Sequence, residues 1–182
     1  MKLLEKKISS KLIYSTSFLD LYEDEVLLLN NKKSKRIYAS HLGASAVLPL
    51  TKDNKVILTK QYRYPIRAVN IEIPAGKKDF KDEDGYDCVK RELEEETNYT
   101  STNIQPLIKI HSCVGYSNEI IELFIAYDCI YIKDIRSCDE DEFIETVLYG
   151  LDEVVGMIKK GVITDAKTII AVQSYLLDLK KW

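Results

Sequence analysis

The chain has 182 residues, of which 46% are hydrophobic and 30% charged, a balance typical of one soluble globular domain with at most a small extension. Its formal net charge is −3, so the chain lacks the basic excess of nucleic-acid-binding domains. Its one dense basic cluster, residues 32–36, fits a solvated loop better than a nucleic-acid site. No apolar run approaches the roughly 18 residues needed to cross a bilayer, and four scattered cysteines favour free thiols over disulfides, so we expect a cytoplasmic protein without nucleic-acid or membrane partners.

The first part of the chain predicts three strands joined by turns. They span residues 9–17, 19–29 and 34–41, with a polar turn at 30–33. Together they would form a small antiparallel sheet. Because a three-stranded sheet is only marginally stable by itself, we expect it to pack on the rest of the chain or on another subunit.

From Ala44 onward, strands alternate with helices. We predict strands at 44–50, 55–61, 70–73, 104–112, 120–132 and 143–149, and helices at 86–97, 152–159 and 165–179. The strands at 104–112 and 120–132 are apolar enough to be buried. Asn98 suits the left-handed C-cap of the first helix, and Asp165 suits the N-cap of the last. These elements predict an α+β chain with an α/β/α layer arrangement.

The first predicted helix carries four glutamates within five positions, namely Glu92, Glu94, Glu95 and Glu96. At about 100° per residue, three of them fall within one sector of roughly 100°, whereas Glu94 points nearly the opposite way. Like charges this close repel one another. The helix therefore presents either a solvated acidic face or a site for hard divalent cations, which prefer oxygen ligands. The spacing alone leaves both interpretations open.

The segment around these glutamates resembles the Nudix box, G-x5-E-x7-R-E-U-x-E-E-x-G-U, in which U is a bulky apolar residue. Residues 91–99, Arg-Glu-Leu-Glu-Glu-Glu-Thr-Asn-Tyr, match its second half, and Glu83 precedes Arg91 by the required seven intervening residues. Two positions depart from the pattern: six residues rather than five separate Gly76 from Glu83, and Asn98 replaces glycine. Neither departure touches the carboxylates, so the resemblance favours a metal site.

The likeness covers roughly residues 20–180 and points to the ADP-ribose pyrophosphatase branch of the Nudix family. It is carried by residues 41–44 (His-Leu-Gly-Ala), 61–65 (Gln-Tyr-Arg-Tyr-Pro), 72–76 (Glu-Ile-Pro-Ala-Gly), 139–145 (Asp-Glu-Asp-Glu-Phe-Ile-Glu) and 165–168 (Asp-Ala-Lys-Thr). The resemblance implies a Nudix α/β/α sandwich with a mixed sheet at residues 44–182. It also implies an N-terminal antiparallel β extension at residues 1–43 that mediates a homodimer.

The resemblance further implies a metal site built on the box helix. Glu92 and Glu96, with Glu95 close by, and the backbone carbonyl of Ala75 would bind Mg²⁺ or Mn²⁺. Arg91 would fix the rotamers of these carboxylates through forked hydrogen bonds. Glu83 has two open roles: it would either cap the loop before the helix or coordinate a further metal through water.

The resemblance also implies a catalytic base on the late acidic loop, residues 139–142. Glu142 is the candidate that would take a proton from the attacking water, and Glu140 is the runner-up and a candidate substrate-binding residue. Glu95 is a further candidate catalytic residue. The alternative is that this segment is only a solvated loop.

Two residues before the box are expected to meet the substrate. Arg63 presents a planar donor fork suited to a phosphate, with a structural salt bridge as the alternative. Glu72 would hydrogen-bond the substrate or pair with Arg91.

The implied reaction is hydrolysis of the diphosphate in a nucleoside-diphosphate sugar, above all of ADP-ribose to AMP and ribose 5-phosphate. Another such sugar, for example GDP-mannose, or a dinucleotide is the alternative, because Val114 stands where ADP-ribose enzymes of the family often have proline. Phe18, Tyr22 and Tyr38 are candidates to clamp an adenine. A non-catalytic nucleotide sensor fits less well, because all three box glutamates are present.

Overall fold

The computed structural model describes residues 3–80, 82–133 and 143–179. Within these ranges the chain forms eleven strands, three helices and a short 3-10 turn at Tyr64–Ile66. The strands are β1 (Lys6–Ser15), β2 (Asp20–Leu27), β3 (Lys33–Ser40), β4 (Ala44–Thr51), β5 (Lys55–Arg63), β6 (Ala68–Glu72), β7 (Ala75–Lys77), β8 (Tyr99–Thr100), β9 (Asn103–His111), β10 (Ile120–Tyr131) and β11 (Ile144–Gly150). The helices are α1 (Gly85–Thr97), α2 (Leu151–Lys159) and α3 (Ala166–Leu179).

A mixed sheet forms the middle layer of the main body. Its strands follow the order β11-β5-β4-β10-β8, with β6 paired to β5, β7 to β4 and β9 to β10. Strands β4 and β10 run parallel, whereas the other described pairs are antiparallel. The parallel pair brings together two strands that lie far apart in the sequence.

Apolar side chains alternate between the two faces of this sheet, as the two-residue period of a strand requires. On β4, Leu48 belongs to the core cluster that contains Val154 of α2 and Val172 of α3. Its neighbour Val47 belongs to the cluster that contains Leu93 of α1. Helix α1 therefore covers one face while α2 and α3 cover the other, which confirms the predicted α/β/α sandwich.

The N-terminal strands form the predicted antiparallel sheet, in the order β1-β2-β3. Every residue of β1 is exposed, including Leu12 and Tyr14. The sheet is tied to the main body at the end of β3, where Ala39 donates its N–H to the Tyr116 carbonyl over 2.8 Å and accepts the Asn118 N–H over 3.3 Å. The loop between β9 and β10 is therefore an attachment point for the extension.

Besides the two-residue strand β8, which was not predicted, two strands differ from the sequence expectation. The strand predicted as buried at residues 104–112 is β9, but most of its side chains are exposed, and within the described residues it pairs with β10 alone. Strand β7 was not predicted, because three residues after a proline carry no periodicity. Among the described residues, no helix is both long and apolar enough to cross a membrane.

Candidate active site

Helix α1 is fixed at both ends by residues of its own segment. At the start, Asp84 accepts the Tyr86 N–H over 2.7 Å, as an N-cap does. At the end, Asn98 adopts the left-handed conformation with φ 57° and donates its N–H to the Glu94 carbonyl. Asparagine tolerates this conformation, so it replaces the glycine of the motif without loss of the cap.

The rotation of α1 is set by its buried residues. Val89 and Leu93 are fully buried against the sheet. Glu96 is largely buried as well, whereas Glu94 lies on another side of the helix and accepts a hydrogen bond from the Thr100 hydroxyl over 2.8 Å.

Strand β7 meets two of the box carboxylates. The Ala75 N–H donates a hydrogen bond to Glu96 Oε2 over 3.1 Å. At Gly76 an added Cβ would lie only 1.9 Å from Glu92 Cδ, so the Glu92 carboxylate occupies the space beside the glycine. Pairing of β7 with β4 holds this backbone in place. The Ala75–Gly76 backbone, Glu92 and Glu96 therefore lie together.

Arg91 draws the surrounding acidic groups to one guanidinium. Its Nη1 donates to Glu92 Oε1 over 2.7 Å and to Glu95 Oε2 over 3.2 Å, and its Nη2 donates to the Lys77 carbonyl over 3.3 Å. Burial acts to lower the pKa of Arg91, but the neighbouring negative charges, Glu92 first, outweigh it and raise that pKa. Arg91 is therefore a permanent cation that holds the rotamers of Glu92 and Glu95.

Glu83 lies in the loop before α1 and is largely buried. Its Oε2 accepts the Asp79 N–H over 2.7 Å, and its Oε1 lies 3.5 Å from Arg91 Nη2. Of the two roles left open by the sequence, this geometry favours capping of the loop.

A second charged network lies on β5, β6 and the start of α3. Glu72 is only 3% exposed and receives Arg63 in a fork, with Nε to Oε1 at 2.8 Å and Nη2 to Oε2 at 2.9 Å. The ammonium group of Lys167 donates to the same Oε2. Burial would raise the pKa of Glu72, but the hydrogen bonds and charges of Arg63 and Lys167 prevail and lower it to about 2.

This network bears on the sequence expectations for Glu72 and Arg63. Glu72 does not pair with Arg91; it pairs with Arg63 and Lys167, because Arg91 is already occupied by groups of α1 and its preceding loop. Arg63 forms the structural salt bridge that was considered as its alternative role. Its side chain nevertheless remains 41% exposed.

The other candidate residues are placed as follows. Tyr22 and Tyr38 stack on each other across β2 and β3, with ring centroids 5.6 Å apart. Phe18 lies near β7, with Lys77 Nζ 5.9 Å from its ring centroid. Glu140 and Glu142 lie outside the described residues.

A family model, "NUDIX domain", matches residues 39–172. The chain belongs to the Nudix family. It is 38% identical over 182 residues to the ADP-ribose pyrophosphatase of Bacillus subtilis (strain 168), covering 100% of this chain and 97% of that protein.

Further relatives carry other names. A "Methanol dehydrogenase activator" of Bacillus methanolicus is 40% identical over 169 residues, 93% of this chain and 91% of that protein. A GDP-mannose pyrophosphatase of Yersinia enterocolitica is 32% identical over 149 residues, 76% of this chain and 75% of that protein. A crystal structure of an ADP compounds hydrolase matches with a TM-score of 0.81 and 18% identity, covering 97% of this chain and 94% of that one, and confirms the Nudix fold.

The donor chemistry of the Nudix box fits a hard divalent cation. Its groups are carboxylate and backbone carbonyl oxygens, the ligands that Mg²⁺ prefers, and the Ala75–Gly76 backbone lies against two of the carboxylates. Within the described residues no three Asp, Glu, His or Cys side chains already form a ligand cluster. Arg91 instead bridges Glu92 and Glu95.

The sequence analysis did not predict that Lys167 contacts Glu72. The only sequence signal was the Asp-Ala-Lys-Thr segment at 165–168, which resembles the ADP-ribose branch. Lys167 and Glu72 are 95 residues apart, and no local pattern links them.

Proposed function

We propose that this Nudix domain hydrolyses the diphosphate of a nucleoside-diphosphate sugar with Mg²⁺ or Mn²⁺, and that its substrate is ADP-ribose, which gives AMP and ribose 5-phosphate. The observation that carries the proposal is the contact of the Ala75–Gly76 backbone with Glu92 and Glu96. The full-length similarity to an ADP-ribose pyrophosphatase supports the choice of substrate.

The metal ligands in this proposal are the Ala75 carbonyl, Glu92 and Glu96, with Glu95 beside them. A bound metal ion would offset the charge of the diphosphate and lower the pKa of its water. Arg91 keeps Glu92 and Glu95 oriented, since its guanidinium bonds to both. Positioning and electrostatics then account for most of the rate in phosphoryl chemistry of this kind.

Arg63 is proposed to bind a substrate phosphate through the part of its guanidinium that faces solvent. Its Nε and Nη2 are engaged by Glu72, and no described residue accepts a hydrogen bond from its Nη1. Glu72 is only 3% exposed, so we propose that it serves the substrate through Arg63.

The proton from the attacking water is proposed to go to Glu142. This assignment rests on the resemblance of the loop sequence to the ADP-ribose branch. Glu140 is proposed as the neighbouring substrate-binding residue, and Glu95 as the alternative catalytic carboxylate. General-base catalysis of this kind contributes about 10²–10⁴-fold to a rate.

A second substrate class is GDP-mannose, supported by the Yersinia enterocolitica relative and by Val114 in place of proline. Product analysis separates the two. The purified chain is incubated with Mg²⁺ and, in turn, ADP-ribose, GDP-mannose and a dinucleotide, and the products are resolved by chromatography. AMP with ribose 5-phosphate from ADP-ribose in strong preference supports the proposal. Preferred hydrolysis of another diphosphate would identify that compound as the substrate instead. Binding without turnover of any of them would favour a nucleotide sensor.

The protein is proposed to be cytoplasmic. The three described cysteines, which carry free thiols, agree with that location.

The N-terminal β extension is proposed to mediate a homodimer. The exposed apolar side chains of β1, such as Leu12, suit a subunit interface. Sedimentation of wild type at twice the chain mass, and of Leu12→Lys at the chain mass, would support this. Leu177→Lys, at an exposed position of α3, is the control. A monomeric wild type would refute it.

A further inference from the structure

Four charged side chains connect β5, β6 and the start of α3. Lys167 donates hydrogen bonds to Glu72 and, over 3.0 Å, to Asp165 Oδ1. Glu72 in turn holds Arg63. Lys167 is 12% exposed and Glu72 3%, so this part of the network is shielded from water.

Both oxygens of the Glu72 carboxylate are occupied. Oε1 accepts from Arg63 Nε and, over 3.3 Å, from Asn70 Nδ2, while Oε2 accepts from Arg63 Nη2 and from Lys167. A carboxylate bonded at both oxygens from several sides has little freedom to turn. The guanidinium of Arg63 is planar and is bonded to Glu72 through Nε and Nη2. These two bonds therefore fix the direction of its third nitrogen, Nη1.

The charges of the network bear on anion binding. Arg63 and Lys167 are cations, Glu72 and Asp165 are anions, and the four formal charges cancel. Without the Lys167 ammonium the group would carry one net negative charge, close to the carboxylates of α1. The charge of Glu96 is felt at Arg63, where the Glu72 hydrogen bond is the largest cause of a raised pKa and Glu96 is a smaller one.

The start of α3 also braces the chain that leads into β7. Thr168 Oγ1 accepts the Ile73 N–H over 2.8 Å, and Asp165 accepts the Thr168 N–H over 2.9 Å as the N-cap. Ile73 is two residues before Ala75 in the sequence. One helix start therefore contacts both the Glu72 side chain and the backbone beside it.

We infer that Lys167 is a positioning residue for the substrate: by fixing and neutralising the Glu72 carboxylate, it keeps the Arg63 guanidinium oriented and its charge available to the diphosphate. This inference rests on the proposed function, in which Arg63 binds a substrate phosphate. Lys167 acts through Glu72 and Arg63.

The test measures binding without turnover. The dissociation constant of a non-hydrolysable ADP-ribose analogue, with a methylene group between its phosphorus atoms, is determined by calorimetry with Mg²⁺ present. The proteins compared are wild type, Lys167→Met, Lys167→Arg, Arg63→Met and the double variant Arg63→Met/Lys167→Met. Lys52→Met, at an exposed turn position, is the matched control. Urea unfolding of each variant establishes that it is folded under the conditions of the titration.

Loss of a charge-assisted contact predicts a dissociation constant about tenfold higher for Lys167→Met and for Arg63→Met. The double variant should bind no more than about twofold more weakly than Arg63→Met, since both changes remove the same contact. Lys167→Arg keeps the charge and should stay within about twofold of wild type, as should Lys52→Met.

Two results would overturn the inference alone: Lys167→Met binding as tightly as wild type while Arg63→Met binds weakly, or the two effects multiplying in the double variant. The first shows that Lys167 does not affect binding, and the second that it acts independently of Arg63. Failure of wild type to bind the analogue, or unchanged binding by Arg63→Met, would overturn the proposed role of Arg63 and the inference with it.

Discussion

The Ala75 N–H donates a hydrogen bond to Glu96 Oε2 over 3.1 Å, and this contact ties strand β7 to the last turn of α1. The two residues are 21 positions apart and belong to different layers of the fold. Since β7 is paired with β4, the strand presents its backbone to the helix in a fixed position. The candidate site therefore depends on a strand–helix contact as much as on the acidic helix itself.

Replacement of Gly76 by alanine tests this close contact. The new Cβ would overlap the Glu92 carboxylate, which is the end of a flexible side chain and would move away. A displacement of about 1 Å at a reacting site can cost about 100-fold in rate. We therefore expect kcat/KM for ADP-ribose to fall by about 10- to 100-fold in Gly76→Ala, with little change in urea unfolding.

Gly115→Ala is the control for this substitution, because nothing lies within 4 Å of a Cβ at that position. Its kcat/KM should match that of wild type. Equal activity of Gly76→Ala and wild type would show that the position of the Glu92 carboxylate is unimportant.

The buried Glu72 carboxylate predicts a pH-dependent contribution to stability. Its pKa is about 2 in the folded protein, against an ordinary value of 4.5. A lowered folded-state pKa stabilises the protein above the ordinary value, and the contribution is lost as the pH falls from about 4.5 toward 2. At pH 7 we expect Glu72→Gln to lower the free energy of unfolding by about 3 kcal/mol.

Urea unfolding of wild type and Glu72→Gln at several pH values checks this expectation. The difference in the free energy of unfolding should be constant from about pH 6 to 8 and should shrink below about pH 4.5. A difference that grows as the pH falls would contradict the assigned direction of the pKa.

The two loop glutamates give a paired test of the proposed base. Removal of a general base lowers kcat by about 10²–10⁴-fold, so Glu142→Gln should lower the kcat for ADP-ribose by that amount. Glu140→Gln should act mainly on KM, since that residue is proposed to bind substrate. The steady-state constants of the two variants are compared at saturating Mg²⁺. The reverse pattern would exchange the roles of the two residues.

Local features of the fold were predictable from the sequence. The C-cap at Asn98 and the N-cap at Asp165 are both observed, because a cap depends on residues within one turn of the helix end. The apolar runs in β4 and β5 correctly predicted strands on both sides of the turn at 51–54. The layer arrangement then followed from the order of strands and helices.

Contacts between distant segments were not predictable in the same way. Glu72 was expected to bond to the substrate or to Arg91, but its observed partners, Arg63 and Lys167, become neighbours only when β5, β6 and α3 pack together. Strand β7 was missed because its three residues form a strand only through pairing with β4. For both features the determining interaction lies outside the local sequence.

The most direct test of the central claim is AMP release from ADP-ribose by wild type, Glu96→Gln and Glu94→Gln, with Mg²⁺ and after its removal by EDTA. A metal ion supplies several kcal/mol of transition-state stabilisation, so loss of a ligand predicts a fall in kcat of about 10²–10³-fold. Glu94 binds the Thr100 hydroxyl instead, and its variant should retain near-normal kcat. The account predicts loss of turnover in Glu96→Gln and in every EDTA-treated sample. Near-normal turnover by Glu96→Gln, or by wild type without metal, would contradict it.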